Sequence, residues 1–293
     1  MLWSRIIRPL LAVTALAMIG GCSAVKLAYN NLPEFGYWWI DGYADLGEAQ
    51  SIQLRNDLAR MHAWHRANEL PKVADLLQLI QRGALTDTTA QDVCRFYDQI
   101  RERLDVVRMQ AEPVAVALAM SLSPIQIQHI AAKFDKGNRE WRREWVVGNR
   151  AERMDKRLQA SVERAEQFYG TLDEKQRAVL QAGLTSSGFD PQRSYAERLR
   201  RQLDLLQMLR TVSGANGAPQ PPHAQAVAAL RGYLDRTLQS PDPAYRAYAQ
   251  AATLETCRTY ALLHNNTSTQ QRARAIARVA AYERDAREVA RLP

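Results

Sequence analysis

Val93-Cys94-Arg95-Phe96-Tyr97-Asp98-Gln99-Ile100-Arg101-Glu102-Arg103-Leu104-Asp105-Val106-Val107 decides the fold class. Val93, Phe96, Ile100, Leu104 and Val107 recur at spacings of three and four, the period of one helix face, with charges between them. A half-buried strand would alternate every second residue, and this stretch does not. The same spacing appears upstream in Leu54, Leu58, Met61 and His65, and downstream in Ile127, Ile130, Phe134, Trp141 and Trp145. Leu158, Val162 and Ala165 continue that last stripe toward Tyr169, and Tyr195, Leu199, Leu203, Leu206 and Leu209 make another. An unbroken helix over 124–169 would be roughly 65–70 Å long, with Gly137 and Gly148 as the places to bend. Strand formers are scarce, whereas Ala, Leu, Arg, Gln and Glu dominate. The reading is all-α: an extended multi-helix bundle of long amphipathic helices whose stripes, Ile100 and Phe134 included, form the core.

Helix starts share a phrase. Leu122-Ser123-Pro124-Ile125-Gln126 and Leu172-Asp173-Glu174-Lys175-Gln176 each place a favoured N-cap three residues before a glutamine. Such a glutamine can bond back to the N–H of the cap. Pro124 suits the first helical position, where a missing donor costs nothing. Leu46-Gly47-Glu48-Ala49-Gln50 and Thr267-Ser268-Thr269-Gln270 are looser copies.

The first 21 residues read as an address. Arg5 and Arg8 precede the apolar run Pro9 to Ile19, which is shorter than the about 20 residues a membrane span needs. Ile19-Gly20-Gly21-Cys22 then resembles the lipobox of bacterial lipoproteins, whose cysteine is acylated and becomes the first residue. By that resemblance Cys22 carries a stable multi-chain anchor. Ser23 stands where lipoproteins kept at the inner membrane carry aspartate, which implies the outer membrane with the body facing the periplasm.

Loss of 1–21 removes two arginines and no acid, so the formal charge of +8 becomes +6. Export argues against nucleic acid as the partner of so basic a chain; anionic lipid head groups, lipopolysaccharide or acidic proteins are the electrostatic candidates. Residues 22–46 form a membrane-proximal segment with Tyr29, Phe35, Tyr37, Trp38, Trp39 and Tyr43. This cluster packs over the body or sits at the lipid interface, where Trp and Tyr are favoured. A main helical body is expected over 47–212 and a Gly/Pro-rich linker over 213–222. An accessory C-terminal helical region follows over 223–293, its stripes weak.

Candidate chemistry is sparse. No Gly-rich phosphate loop, Gly-x-Ser-x-Gly elbow or Cys-x-x-Cys pair occurs, so no catalytic residue, cofactor or metal is assigned. His62, His65, Arg66 and Glu69 make the densest polar group on one helix, a candidate polar interaction site. They lack the His-Glu-x-x-His spacing of a helical zinc site. Trp141-Arg142-Arg143-Glu144-Trp145, with Arg139, Arg150, Arg153 and Arg157, interleaves rings and cations on an amphipathic helix that could face an anionic surface. Cys94 and Cys257 are the two thiols left after acylation. In an oxidising compartment they are candidates for a disulfide, or else for a pair of small buried hydrophobes.

Tyr29-Asn30-Asn31-Leu32, Trp38-Trp39, Asp45-Leu46 with Gln50, His62, Trp64-His65-Arg66, Glu69-Leu70-Pro71 and Leu122-Ser123 with Gln126 carry a resemblance. Together they are similar to the uncharacterised proteobacterial lipoprotein family DUF6279, a likeness that fades after about residue 210. It implies export, acylation and a helical body, and supplies no activity. More weakly, the helix-start phrase resembles the Leu-Thr-x-x-Gln motif of periplasmic chaperones that form helical cradles. The expected function is a non-catalytic binding or scaffold module of the envelope, engaging an envelope protein or cell-wall component. The alternatives are a chaperone-like helical protein and a hydrolase or metal-dependent enzyme using His62, His65 and Glu69.

Overall fold

Short polar side chains fix where the helices begin. Thr89, Ser123, Asp173 and Ser268 each accept the N–H three residues on, while Asp92, Gln126, Gln176 and Gln271 return a bond to the cap. Asn149, Asp190 and Asp242 cap with their side chains as well. The structure, a computed structural model, describes residues 25–291; Cys22 and the apolar segment before it lie outside them. A helical stretch over 25–30 leads into α1 (Leu32–Ala44), α2 (Glu48–Asn68), α3 (Leu70–Gly83) and α4 (Ala90–Ser121). Then come α5 (Pro124–Trp141), α6 (Arg150–Tyr169), α7 (Glu174–Thr185) and α8 (Pro191–Ser213). The last three are α9 (His223–Leu238), α10 (Pro243–Asn265) and α11 (Thr269–Ala290), and no strand occurs among the described residues. The protein is all-α.

Breaks fall where backbone chemistry demands them. The 124–169 stretch is two helices, because a π-helical turn over Arg142–Val147 carries α5 to Gly148, which is extended at ψ 165°. A Cβ there would lie 2.8 Å from the Glu144 carbonyl oxygen, so the turn needs a glycine, whereas Gly137 stays helical. Between α4 and α5 the extended Leu122 and the Ser123 cap turn the chain by 111°. α4 itself runs through Pro113 for 32 residues. No single described helix is long and apolar enough to cross a membrane.

Two apolar centres hold the helices together. Ala44, Val116, Ala119, Leu122, Ile127, Ile130, Leu206, Leu209, Val212, Ala226 and Leu230 form the first, drawing α9 against α4 and α8, with α5 packed on α8. Val162, Ala165, Leu172, Leu180 and Leu263 form the second, among α6, α7 and α10. α11 lies along α3, where small Ala74 and Ala275 are buried and Arg287 reaches Asp75 at 2.9 Å. The glycine/proline segment after α8 leaves through Gly214 at φ 75°, and Gln220 donates to the Met120 carbonyl at 2.7 Å.

One expected stripe is only partly core. Ile100 is 44% exposed and Leu104 is exposed too. The reason is the reach of α4: its first turns meet α10 through Cys94, and its last turns enter the first apolar centre. The turns between bridge the two ends and keep one side in solvent. Phe134 packs against the first centre, half-buried beside Tyr43 at 5.8 Å between rings.

Candidate functional site

His62, His65 and Arg66 project from α2, and Glu69 is the residue at which α2 passes into α3. The structure adds Tyr29 to them. Its hydroxyl lies 2.8 Å from His65 Nδ1, and its ring centroid is 4.6 Å from that of His62. Burial pushes the Tyr29 hydroxyl up to about 12, against the pull of the Arg66 cation. Burial also holds both histidines below their ordinary value; Arg66 adds to the effect at His62, and Glu69 opposes it at His65. The pair is therefore neutral at pH 7, and His62 Nε2 is buried with no hydrogen-bond partner among the described residues. Pro33, His62, Arg66 and Ala290 line a cleft of about 340 Å³ beside this group.

Glu69 serves a different contact. Only 1% exposed, it accepts from Lys72 at 2.7 Å and from Arg103 of α4 at 3.4 Å. A buried carboxylate needs such partners, since losing one leaves an uncompensated charge. Its oxygens thus tie the α2–α3 junction to α4. Among the described residues no three His, Cys, Asp or Glu side chains gather in a group able to hold a metal.

A second tyrosine–histidine pair went unnoticed in the sequence. Tyr169 Oη is 2.9 Å from His264 Nδ1, and His264 Nε2 is 3.0 Å from the Thr86 carbonyl. A carbonyl only accepts, so Nε2 carries the proton and Nδ1 accepts from Tyr169. Burial lowers the pKa of this imidazole also. Cys94 and Cys257 are joined as a disulfide with Cα atoms 5.5 Å apart, fastening α10 to α4.

The aromatic–basic stretch divides by side chain. Trp141 stacks on Tyr195 with centroids 5.5 Å apart, and Trp145 meets Phe189 edge-on at 6.2 Å. Arg139, Arg142, Arg143 and Arg150 are exposed, while Arg153 and Arg157 are half-buried. The aromatic cluster over 29–43 divides too. Tyr37 is buried and its hydroxyl donates to Ser51 at 3.0 Å, but Phe35, Trp38 and Trp39 are exposed, Trp39 by 68%.

A family model, DUF6279, described as a family of unknown function, matches residues 42–217. The match includes His62, His65, Arg66 and Glu69, Gln50, Gln126 and the basic stretch of α5 and α6; it begins after Tyr29 and stops before α9. No curated protein and no solved structure matches the chain.

Proposed function

We propose, for a chain that belongs to the DUF6279 family of unknown function, an outer-membrane-anchored periplasmic lipoprotein that acts as a non-catalytic binding or scaffold module. The observation that carries this is the exposed face of α1. Leu32, Phe35, Trp38 and Trp39 stand uncovered on α1, close in sequence to Cys22. Bulky rings held in water beside an acyl anchor are suited to the interface, where Trp and Tyr partition favourably. The body behind them is cross-braced by a disulfide and by buried polar side chains bonded to one another, as a rigid module requires.

The other readings have less behind them. The chaperone-like reading draws its motif from glutamines that here bond to one another. The hydrolase reading needs Glu69, whose oxygens are occupied by Lys72 and Arg103.

The test has two arms. Cys22→Ser should leave the precursor unprocessed and without acyl mass in intact mass spectrometry. Trp38→Ser/Trp39→Ser in the acylated protein should raise the extractability of the protein from membranes by high-salt or mild-detergent washes. Normal processing of Cys22→Ser would overturn the anchor, and unchanged extractability would overturn the interfacial face.

A further inference from the structure

Two clefts meet beside the loop joining α7 to α8. The first, of about 340 Å³, is lined by Arg150, Arg153 and Arg157 of α6 together with Thr185, Ser187 and Gln192. The second, of about 380 Å³, opens on the other side of Arg157 and adds Lys156 and Arg164. None of Arg150, Arg153 and Arg157 makes an ion pair among the described residues, in contrast to Lys156, 3.0 Å from Glu144. Most other half-buried cations here are neutralised, as Arg200 is by Glu197 and Asp204.

The carboxylates nearby form no ion pair with these three arginines, and each accepts a backbone N–H. Asp190 lines the first cleft, but it caps α8 by accepting the Arg193 N–H at 3.0 Å. Glu255 lines the second and accepts the Gly188 N–H at 3.2 Å. Arg150 and Arg153 sit in the first turn of α6, where the helix dipole is already positive. Gln192 belongs to the first turn of α8, so a second positive helix end borders the same space.

Arg157 is held ready. Its Nη2 donates to Ser187 Oγ at 3.2 Å and its guanidinium lies 4.5 Å from the centre of the Phe189 ring. Phe189 is in turn packed by Trp145. A guanidinium fixed in this way presents its remaining donors without further loss of freedom, and the planar fork matches an oxyanion. Burial draws the Arg157 pKa downward, with Tyr248 and the Glu255 carboxylate opposing it.

We propose that this cleft binds a phosphate monoester or diphosphate group, its charge shared among Arg150, Arg153 and Arg157. One carboxylate would neutralise one of the three cations, whereas a group with two or more negative charges answers the cluster. Thr185, Ser187 and Gln192 supply uncharged polar atoms for the remaining oxygens. The group arrives either free in solution or as the head of a lipid; the cleft chemistry is the same.

Calorimetry on the full-length, detergent-solubilised protein tests this with three probes: inorganic diphosphate, dihexanoyl phosphatidic acid and dihexanoyl phosphatidylcholine. The expected result is binding of one or both phosphate monoester or diphosphate probes, and none of phosphatidylcholine. Arg150→Gln/Arg153→Gln should weaken it at least tenfold, with its thermal melt run alongside. Should that pair fail to fold, Arg150→Gln alone, at an exposed position, carries the measurement. Diphosphate binding assigns a soluble source, and binding of phosphatidic acid alone assigns a lipid head. Binding of neither probe overturns the proposal. So does equal weakening by Arg139→Gln/Arg143→Gln, which lie outside the cleft.

Discussion

Gln176 and Gln271, 95 positions apart, donate to each other's side-chain oxygens at 2.7 and 3.0 Å. Each oxygen also accepts the N–H of its own cap, from Asp173 at 3.0 Å and Ser268 at 2.9 Å. Each nitrogen also donates to the carbonyl two residues ahead of the other cap, Gln176 to Asn266 and Gln271 to Thr171. Two donors and two acceptor sites per amide are thus all used. Gln50 and Gln126 repeat the arrangement, with bonds of 3.2 and 2.7 Å to each other and further bonds to Ser121 and Asp45 carbonyls. One local two-fold joint therefore appears twice, coupling α1–α2 to α4–α5 and α6–α7 to α10–α11.

Removing one glutamine strands the other. Gln176 is 1% exposed, so Gln176→Ala should cost about 2–3 kcal/mol through an unpaired cap N–H and an unpaired partner amide. Gln271→Ala should cost a similar amount, and the double variant less than the sum, with a coupling of about 1 kcal/mol or more. Urea unfolding of the three variants measures it; additive losses would mean the two amides do not act together. Gln50→Ala, at a half-buried position, should cost less.

Acid should loosen the fold through its histidines. His62, His65 and His264 all have folded pKa values below the ordinary 6.5, burial being the largest cause in each. Below about pH 6.5 the unfolded chain binds more protons than the folded one, so stability falls as pH is lowered through that range. Above it the three contribute no pH dependence. Melting temperature should drop between pH 7.5 and 5.5, and His264→Gln should flatten part of that slope. An unchanged slope in His264→Gln would show that burial of the His264 ring carries no part of the acid loss.

Much of this was written locally. The helix class followed from three-and-four spacing, and the glutamine phrases announced caps that Ser123 and Asp173 form with Gln126 and Gln176. At the looser copy the bonding residue is Gln271, one position after the expected Gln270, because Ser268 is the cap. What spacing cannot encode is partnership. Nothing in the local pattern says that Gln176 meets Gln271, that Tyr29 meets His65, or that Glu69 turns to Arg103. Those are choices of tertiary packing made over long separations. The same limit explains Ile100: periodicity identifies a face, not whether a neighbour covers it at that turn.

Ile100 and Ile127 separate those two meanings of an apolar stripe. Ile127 is 1% exposed in the first apolar centre, so Ile127→Ala should cost about 2–5 kcal/mol for lost burial and the cavity left behind. Ile100→Asp, at a site 44% exposed, should cost about 1 kcal/mol or less. Thermal unfolding of the two variants decides it, and a larger loss at Ile100 would mean the middle of α4 is covered after all.

The Cys94–Cys257 bridge spans 163 positions and holds α10 to α4. Closing so long a loop restricts the unfolded chain, and the chain-entropy model gives roughly 5 kcal/mol as an upper figure. Cys94→Ser/Cys257→Ser should therefore lose several degrees or more of melting temperature while keeping its helical signal, because both apolar centres lack cysteine. Reductant should lower the melting temperature of the wild type and leave the double variant unmoved. Peptide mapping without reduction should recover 94 and 257 in one cross-linked fragment; two free thiols there, with no response of the melt to reductant, would remove the bridge from the account of stability.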